Sequence, residues 1–147
     1  MSLPKFNKTG DLPTGVHLAS LADAIARFGV GSDQRKIVAR RLTRIYEISS
    51  QTSFLARFVV FGSFVTDKRA PNDVDVFMIM DDNFDIGSLV GEARLLFADH
   101  GSAQGHFGAS VFWIRRMAAI GGEQAAIEDW QIKRDGTERG IVEITAE

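Results

Sequence analysis

Two carboxylates stand two residues apart inside an apolar run, Asp73-Val74-Asp75 within Pro71-Asn72-Asp73-Val74-Asp75-Val76-Phe77-Met78-Ile79-Met80. This pattern constrains the chain more than any other. Apolar and β-branched residues crowd the run, so it reads as a strand over about 73–80. Side chains alternate along a strand, so an i, i+2 pair shares one face. Two carboxylates on one half-buried face repel each other and lose hydration. A chain carries that cost when a positive group lies between them, and a divalent cation held by Asp73 and Asp75 is the natural candidate. The alternative reading is two exposed residues on an edge strand. The flanking Val74, Val76, Phe77, Met78 and Ile79 argue against simple exposure.

A second apolar run, Arg57-Phe58-Val59-Val60-Phe61, reads as a strand over about 56–61 and is followed directly by Gly62-Ser63. Glycine has no Cβ, so the backbone at Gly62 can approach another group closely. The Ser63 hydroxyl and neighbouring amides can donate to anionic oxygens. Gly-Ser after a strand is also a common turn.

The rest of the chain is read as support for these two strands. Residues 1–16 look irregular, with turns at Pro4 and at Pro13-Thr14-Gly15. Ser20 can cap a helix with Leu18, Leu21, Ile25 and Phe28 at helical spacing, stopped by Gly29 and Gly31. Ser32 or Asp33 can cap a second helix running to about Ser50, with Val38, Leu42, Ile45 and Tyr46 on its apolar face. A third helix is expected after Asp81-Asp82-Asn83, carrying Ile86, Leu89, Val90, Ala93 and Leu96 and ending at Gly101. A third strand is expected over 106–114, a short helix over 123–130, a turn at Asp135-Gly136 and a last strand over 141–144. The order α-α-β-β-α-β-α-β predicts an α/β (α+β) fold, a small mixed sheet with helices packed on it. A length of 147 residues suits one domain over 1–147 with an ordinary core.

Composition excludes several classes. The formal net charge of −2 gives no global attraction to nucleic acid or to a membrane surface. Without cysteine there is no disulfide framework and no thiolate metal site. No apolar stretch approaches the ~20 residues of a membrane helix. No charged n-region with an apolar core marks a signal peptide. A cytoplasmic location, with no membrane association, is the expectation.

An apolar strand, Gly62-Ser63, nine residues and then Asp73-Val74-Asp75 on a second strand resembles the signature of the DNA polymerase beta-like nucleotidyltransferase superfamily, most closely its minimal, single-domain members. Phe61 to Phe77 carry the resemblance. Leu12-Pro13-Thr14-Gly15 and Gly62-Ser63-Phe64-Val65-Thr66-Asp67-Lys68 look like a small branch of it. The resemblance implies that Asp73 and Asp75 bind Mg²⁺ and act in catalysis. It implies an NTP substrate whose triphosphate lies against Gly62 and Ser63, with Lys68 and Arg69 neutralising its charge. Transfer of a nucleoside monophosphate to a hydroxyl acceptor is the implied activity.

The chain departs from that pattern at one point. The superfamily places a third carboxylate on a later strand, and the strand expected over 106–114 has none. Its faces read His106, Gly108, Ser110, Phe112 and Phe107, Ala109, Val111, Trp113. Ser110 falls where the third acid is expected, and Glu143 and Asp99 are the nearest acidic alternatives. A second function class therefore stays open: a catalytically weak or inactive nucleotidyltransferase-like protein that works as a binding partner, as in a toxin–antitoxin pair. A partner protein chain could supply the acceptor site. Arg35, Lys36, Arg40, Arg41 and Arg44 on the second helix could meet an acidic partner or RNA, although a solvated helix face is the simpler reading. Trp113 and Trp130 are expected in the core or an interface. His100 is expected near a helix end, where the dipole favours a cation.

Overall fold

The computed structural model describes residues 3–146. Its centre is a five-stranded mixed sheet, and with the helices around it the fold is α+β. The strands are β1 (Val16–Ala19), β2 (Leu55–Phe61), β3 (Val74–Met80), β4 (Ala109–Arg115) and β5 (Ile141–Ile144). Their order across the sheet is β1-β5-β2-β3-β4. β2 pairs antiparallel with both β3 and β5, whereas β1 with β5 and β3 with β4 are parallel.

The helices are α1 (Leu21–Phe28), α2 (Asp33–Gln51), α3 (Gly91–Ala98), α4 (His100–Phe107) and α5 (Glu123–Glu128). Ser20 caps α1 and Ser32 caps α2, each side chain accepting from a backbone amide three residues on, Asp23 and Arg35. These bonds satisfy donors that the first helical turn leaves free.

The sheet has two unlike faces. On one, Phe58, Val60, Val76, Met78 and Val142 join Leu42, Ile45, Phe97 and Phe107 from the helices in the main core. On the other, Val59, Phe77, Ile79 and Ile141 meet Ile127 of α5 in a much smaller cluster. The smaller cover leaves part of the second face open, and the site described below lies there.

The structure differs from the expected order at both ends of the helical reading. Val16–Ala19 is a strand, so Leu18 belongs to β1 and not to α1. Among the described residues its only partner is β5, 125 positions on at Val16↔Ile141, a pairing that local sequence cannot reveal. The strand expected from 106 begins at Ala109, because residues 100–107 form a further helix, α4, where the third helix was expected to end at Gly101. Asp99 accepts from the Ser102 amide at 2.7 Å to start it, and Gly108, in the left-handed conformation at φ 63°, ends it. His106 therefore sits in the last turn of α4 and bonds Glu92 at 3.0 Å, away from the Ser110 face where it was expected.

Among the described residues, no helix is long and apolar enough to cross a membrane.

Candidate functional site

The end of β2 sets the site's geometry. Gly62 has φ 79° and ψ −164°, a region essentially open only to glycine. A side chain there would have no room either, because a Cβ on Gly62 would lie 1.8 Å from Oδ2 of Asp75. After Gly62 the chain turns through Ser63–Val65. This turn is held from beneath by Arg35, which is 6 % exposed. Its guanidinium donates to the carbonyls of Phe28, Phe64, Thr66 and Lys68. Arg35 was expected on the basic outer face of α2. The structure buries it, because four carbonyls around one planar fork satisfy its donors. Burial holds its pKa below the ordinary arginine value.

Asp75 sits in β3 between Phe61 of β2 and Ser110 of β4, its partners in register. Register partners on neighbouring strands share a face, so Ser110 and Asp75 point the same way. The Asp75 pKa is pushed up to about 6, first by burial and then by the charge of Asp73. Ser110, Arg139 and Arg134 act in the opposite direction. The Ser110 hydroxyl has two acceptors to serve, Asp75 and Oε1 of Gln104 at 3.2 Å. Asp73 lies in the bend just before β3, half-buried, and not on the strand itself.

A cavity of about 460 Å³ opens over Gly62, Asp75 and Ser110. One wall is aromatic: Trp130, Phe112 and His100. The other is cationic: Lys133, Arg134 and Arg139, from the loop between α5 and β5. That loop turns tightly, with the Lys133 amide donating to the Thr137 carbonyl at 2.8 Å and the Gly136 amide to the Lys133 carbonyl at 2.9 Å. Asp11, in the N-terminal segment, holds it from outside, 3.5 Å from Arg139 and 3.8 Å from Lys133.

The structure brings together two of the residues singled out from the sequence, Gly62 and Asp75, with Ser110 beside them. Ser63, Asp73, Lys68 and Arg69 do not line the cavity. Lys68 and Arg69 are exposed, and it is their carbonyls that are engaged, by Arg35 and by the Ser32 hydroxyl. The cations facing Asp75 come instead from a loop some 60 residues further on. The signal was in the sequence as Lys133-Arg134 and Arg139 around the Asp135-Gly136 turn, but only the fold carries that turn to Asp75. His100 was also missed as a lining residue. It opens α4 and does not close a helix, and its ring stacks on Phe112 with centroids 5.2 Å apart.

The two alternative acids have other partners. Glu143 is bound by Arg57 through Nε and Nη2, both at 2.7 Å, a charge-assisted pair across the sheet face. Asp99 caps α4, and its bonds to Ser102 hold its pKa below the usual carboxylate value. Trp113 packs against Phe84 and Phe97 on the helical side, its Nε1 donating to the Phe97 carbonyl.

The donor set suits a hard cation. Asp75 is desolvated, repelled by Asp73, and in no ion pair among the described residues. No group of three or more possible ligand side chains occurs among the described residues. Of the two carboxylates only Asp75 lines the cavity, and a hard cation such as Mg²⁺ takes carboxylate oxygens together with water and phosphate oxygens.

No curated protein and no solved structure matches this chain. One family does, over residues 4–145, which spans the sheet and both walls of the cavity. The chain belongs to that family, a family of unknown function designated DUF6932.

Proposed function

We propose that the cavity binds a nucleoside triphosphate with one Mg²⁺ and passes its nucleoside monophosphate to a hydroxyl acceptor. The observation that carries this reading is the placement of Asp75. Its carboxylate rests against a glycine where any side chain would be strained and would meet the carboxylate, on the floor of a cavity walled by three cations. Asp75 would hold the ion within the cavity, with Asp73 approaching it from the bend before β3, and the ion would offset their mutual repulsion and supply charge stabilisation to the phosphates. Lys133, Arg134 and Arg139 would bind the triphosphate. The open backbone at Gly62 would let it approach the sheet.

In the reaction, the acceptor oxygen bonds to the α-phosphorus as the bond to the bridging oxygen breaks. Pyrophosphate leaves with the electron pair. The hydroxyl proton passes to water, since among the described residues Asp75, which would be engaged with the ion, is the one carboxylate lining the cavity. General-base assistance is worth about 10²- to 10⁴-fold, so slow turnover is expected.

That deficit favours a second reading. Ser110, neutral and in register beside Asp75, stands where the resemblance to polymerase beta-like nucleotidyltransferases places a third acid. A protein that binds nucleotide and turns it over weakly can serve as a regulated partner of another chain, as in a toxin–antitoxin pair.

Calorimetric titration of the protein with ATP and other NTPs, with and without Mg²⁺, tests the shared core of both readings. Mg²⁺-dependent binding, abolished by Asp73→Asn with Asp75→Asn, is the expected result. Unchanged affinity in the double variant rejects the site. Product formation with candidate acceptors then separates enzyme from binding partner.

A further inference from the structure

The aromatic wall is larger than the small cluster beneath it requires. Phe112 and Ser110 stand two positions apart on β4, so they share a face, with about 6–7 Å between them along the strand. Phe112 lies next to two other rings, His100 at 5.2 Å and 30° and Trp130 at 5.1 Å and 34°. Trp130 packs in turn on Phe61 at 4.5 Å and on Phe77 at 5.0 Å, which anchors the row to the sheet. Yet Phe112 is 38 % exposed, and what it faces is the cavity. Covering exposed aromatic surface with a flat partner is favourable, and among the described residues nothing covers the part of Phe112 that faces the cavity.

We infer that His100, Phe112 and Trp130 form a stacking shelf for the nucleobase, with the triphosphate running from there along Lys133, Arg134 and Arg139 toward Gly62 and Asp75. This rests on the nucleotide reading of the same cavity and adds how the base is held. The division of labour follows from the chemistry of the two walls. The cationic wall recognises phosphate in any compound. The aromatic wall recognises a flat ring and ignores phosphate. Every base has a π-face, so stacking distinguishes nucleotide from bare triphosphate without reading base identity.

The experiment titrates the whole chain with ATP and, separately, with inorganic tripolyphosphate, both with Mg²⁺. Wild type, Phe112→Leu and Phe112→Tyr are compared. Leucine keeps the apolar volume and removes the ring; tyrosine keeps the ring. Base stacking on an aromatic side chain is strong enough that ATP should bind at least about tenfold more tightly than tripolyphosphate. Phe112→Leu should lose roughly that factor for ATP and leave tripolyphosphate unchanged, and Phe112→Tyr should retain it. Equal binding of the two probes in wild type overturns the inference, as does a Phe112→Leu variant that binds ATP normally or weakens both probes alike. The cations then bind phosphate and the rings are only cover. Failure of both probes to bind wild type is a different result: it rejects the nucleotide reading itself, and the shelf with it.

Discussion

The Asp75 carboxylate lies directly over the α-carbon of Gly62, so close that a Cβ at Gly62 would stand 1.8 Å from Oδ2. The contact joins the end of β2 to the middle of the site, and it makes Gly62 sensitive on two counts. Gly62→Ala must adopt φ 79° with a side chain and also displace the carboxylate. Strain and overpacking together should cost about 2–4 kcal/mol. Urea denaturation of the variant checks this. A loss below about 0.5 kcal/mol would mean that the turn and Asp75 move apart freely.

Asp75 should oppose folding at neutral pH in metal-free protein. Its folded pKa is raised to about 6 from an ordinary value of 3.8. Between those values the folded chain binds the extra proton, so stability rises as pH falls from 6 toward 3.8. The cost is present in full above about pH 6 and gone below 3.8. Allowing for solvent in the cavity, it amounts to roughly 1–2 kcal/mol. Asp75→Asn should therefore raise the Tm at pH 8 in EDTA and have little effect at pH 4. An equal change at both pH values would assign the effect to packing.

Ser110→Asp restores an acid beside Asp75 in register. It should tighten Mg²⁺ binding and raise any transferase activity, at some expense of metal-free stability because a third like charge enters the site. Robust wild-type activity that the substitution leaves unimproved would show that the site works without the third carboxylate.

Arg35 holds four carbonyls, three of them in the segment that follows Gly62. Arg35→Met removes those donors and leaves buried acceptors unpaired, at about 1–3 kcal/mol for each that water does not reach. A total loss of at least ~3 kcal/mol in chemical denaturation is expected. Survival of Gly62 and Asp75 geometry with a loss under ~1 kcal/mol would show that the turn is held by other contacts.

Much of this protein was legible along the chain because the determining physics is local. The Ser20 and Ser32 caps, the apolar periodicity of α2, the β-branched and aromatic runs of β2 and β3, and the Asp135-Gly136 turn each act within a few residues. Side-chain alternation does the same for Ser110. The sequence places it opposite in parity to Ala109 and Val111, and the structure puts it on the Asp75 face. Other features depend on partners that the chain brings in from far away. β1 is a strand only because β5 lies beside it. Residues 100–107 coil because Asp99 caps them and Gly108 ends them, although their composition also suits the start of a strand. Arg35, read as one of five surface cations, is buried because carbonyls from the end of α1 and from a segment some 30 residues on converge on it. The same holds for the charge opposite Asp75. Lys68 and Arg69 are near it in sequence and turn away, whereas Arg134 and Arg139 reach it because β5 enters the sheet beside β2. Charge attraction acts through space, so which cations a carboxylate meets was decided by the sheet order.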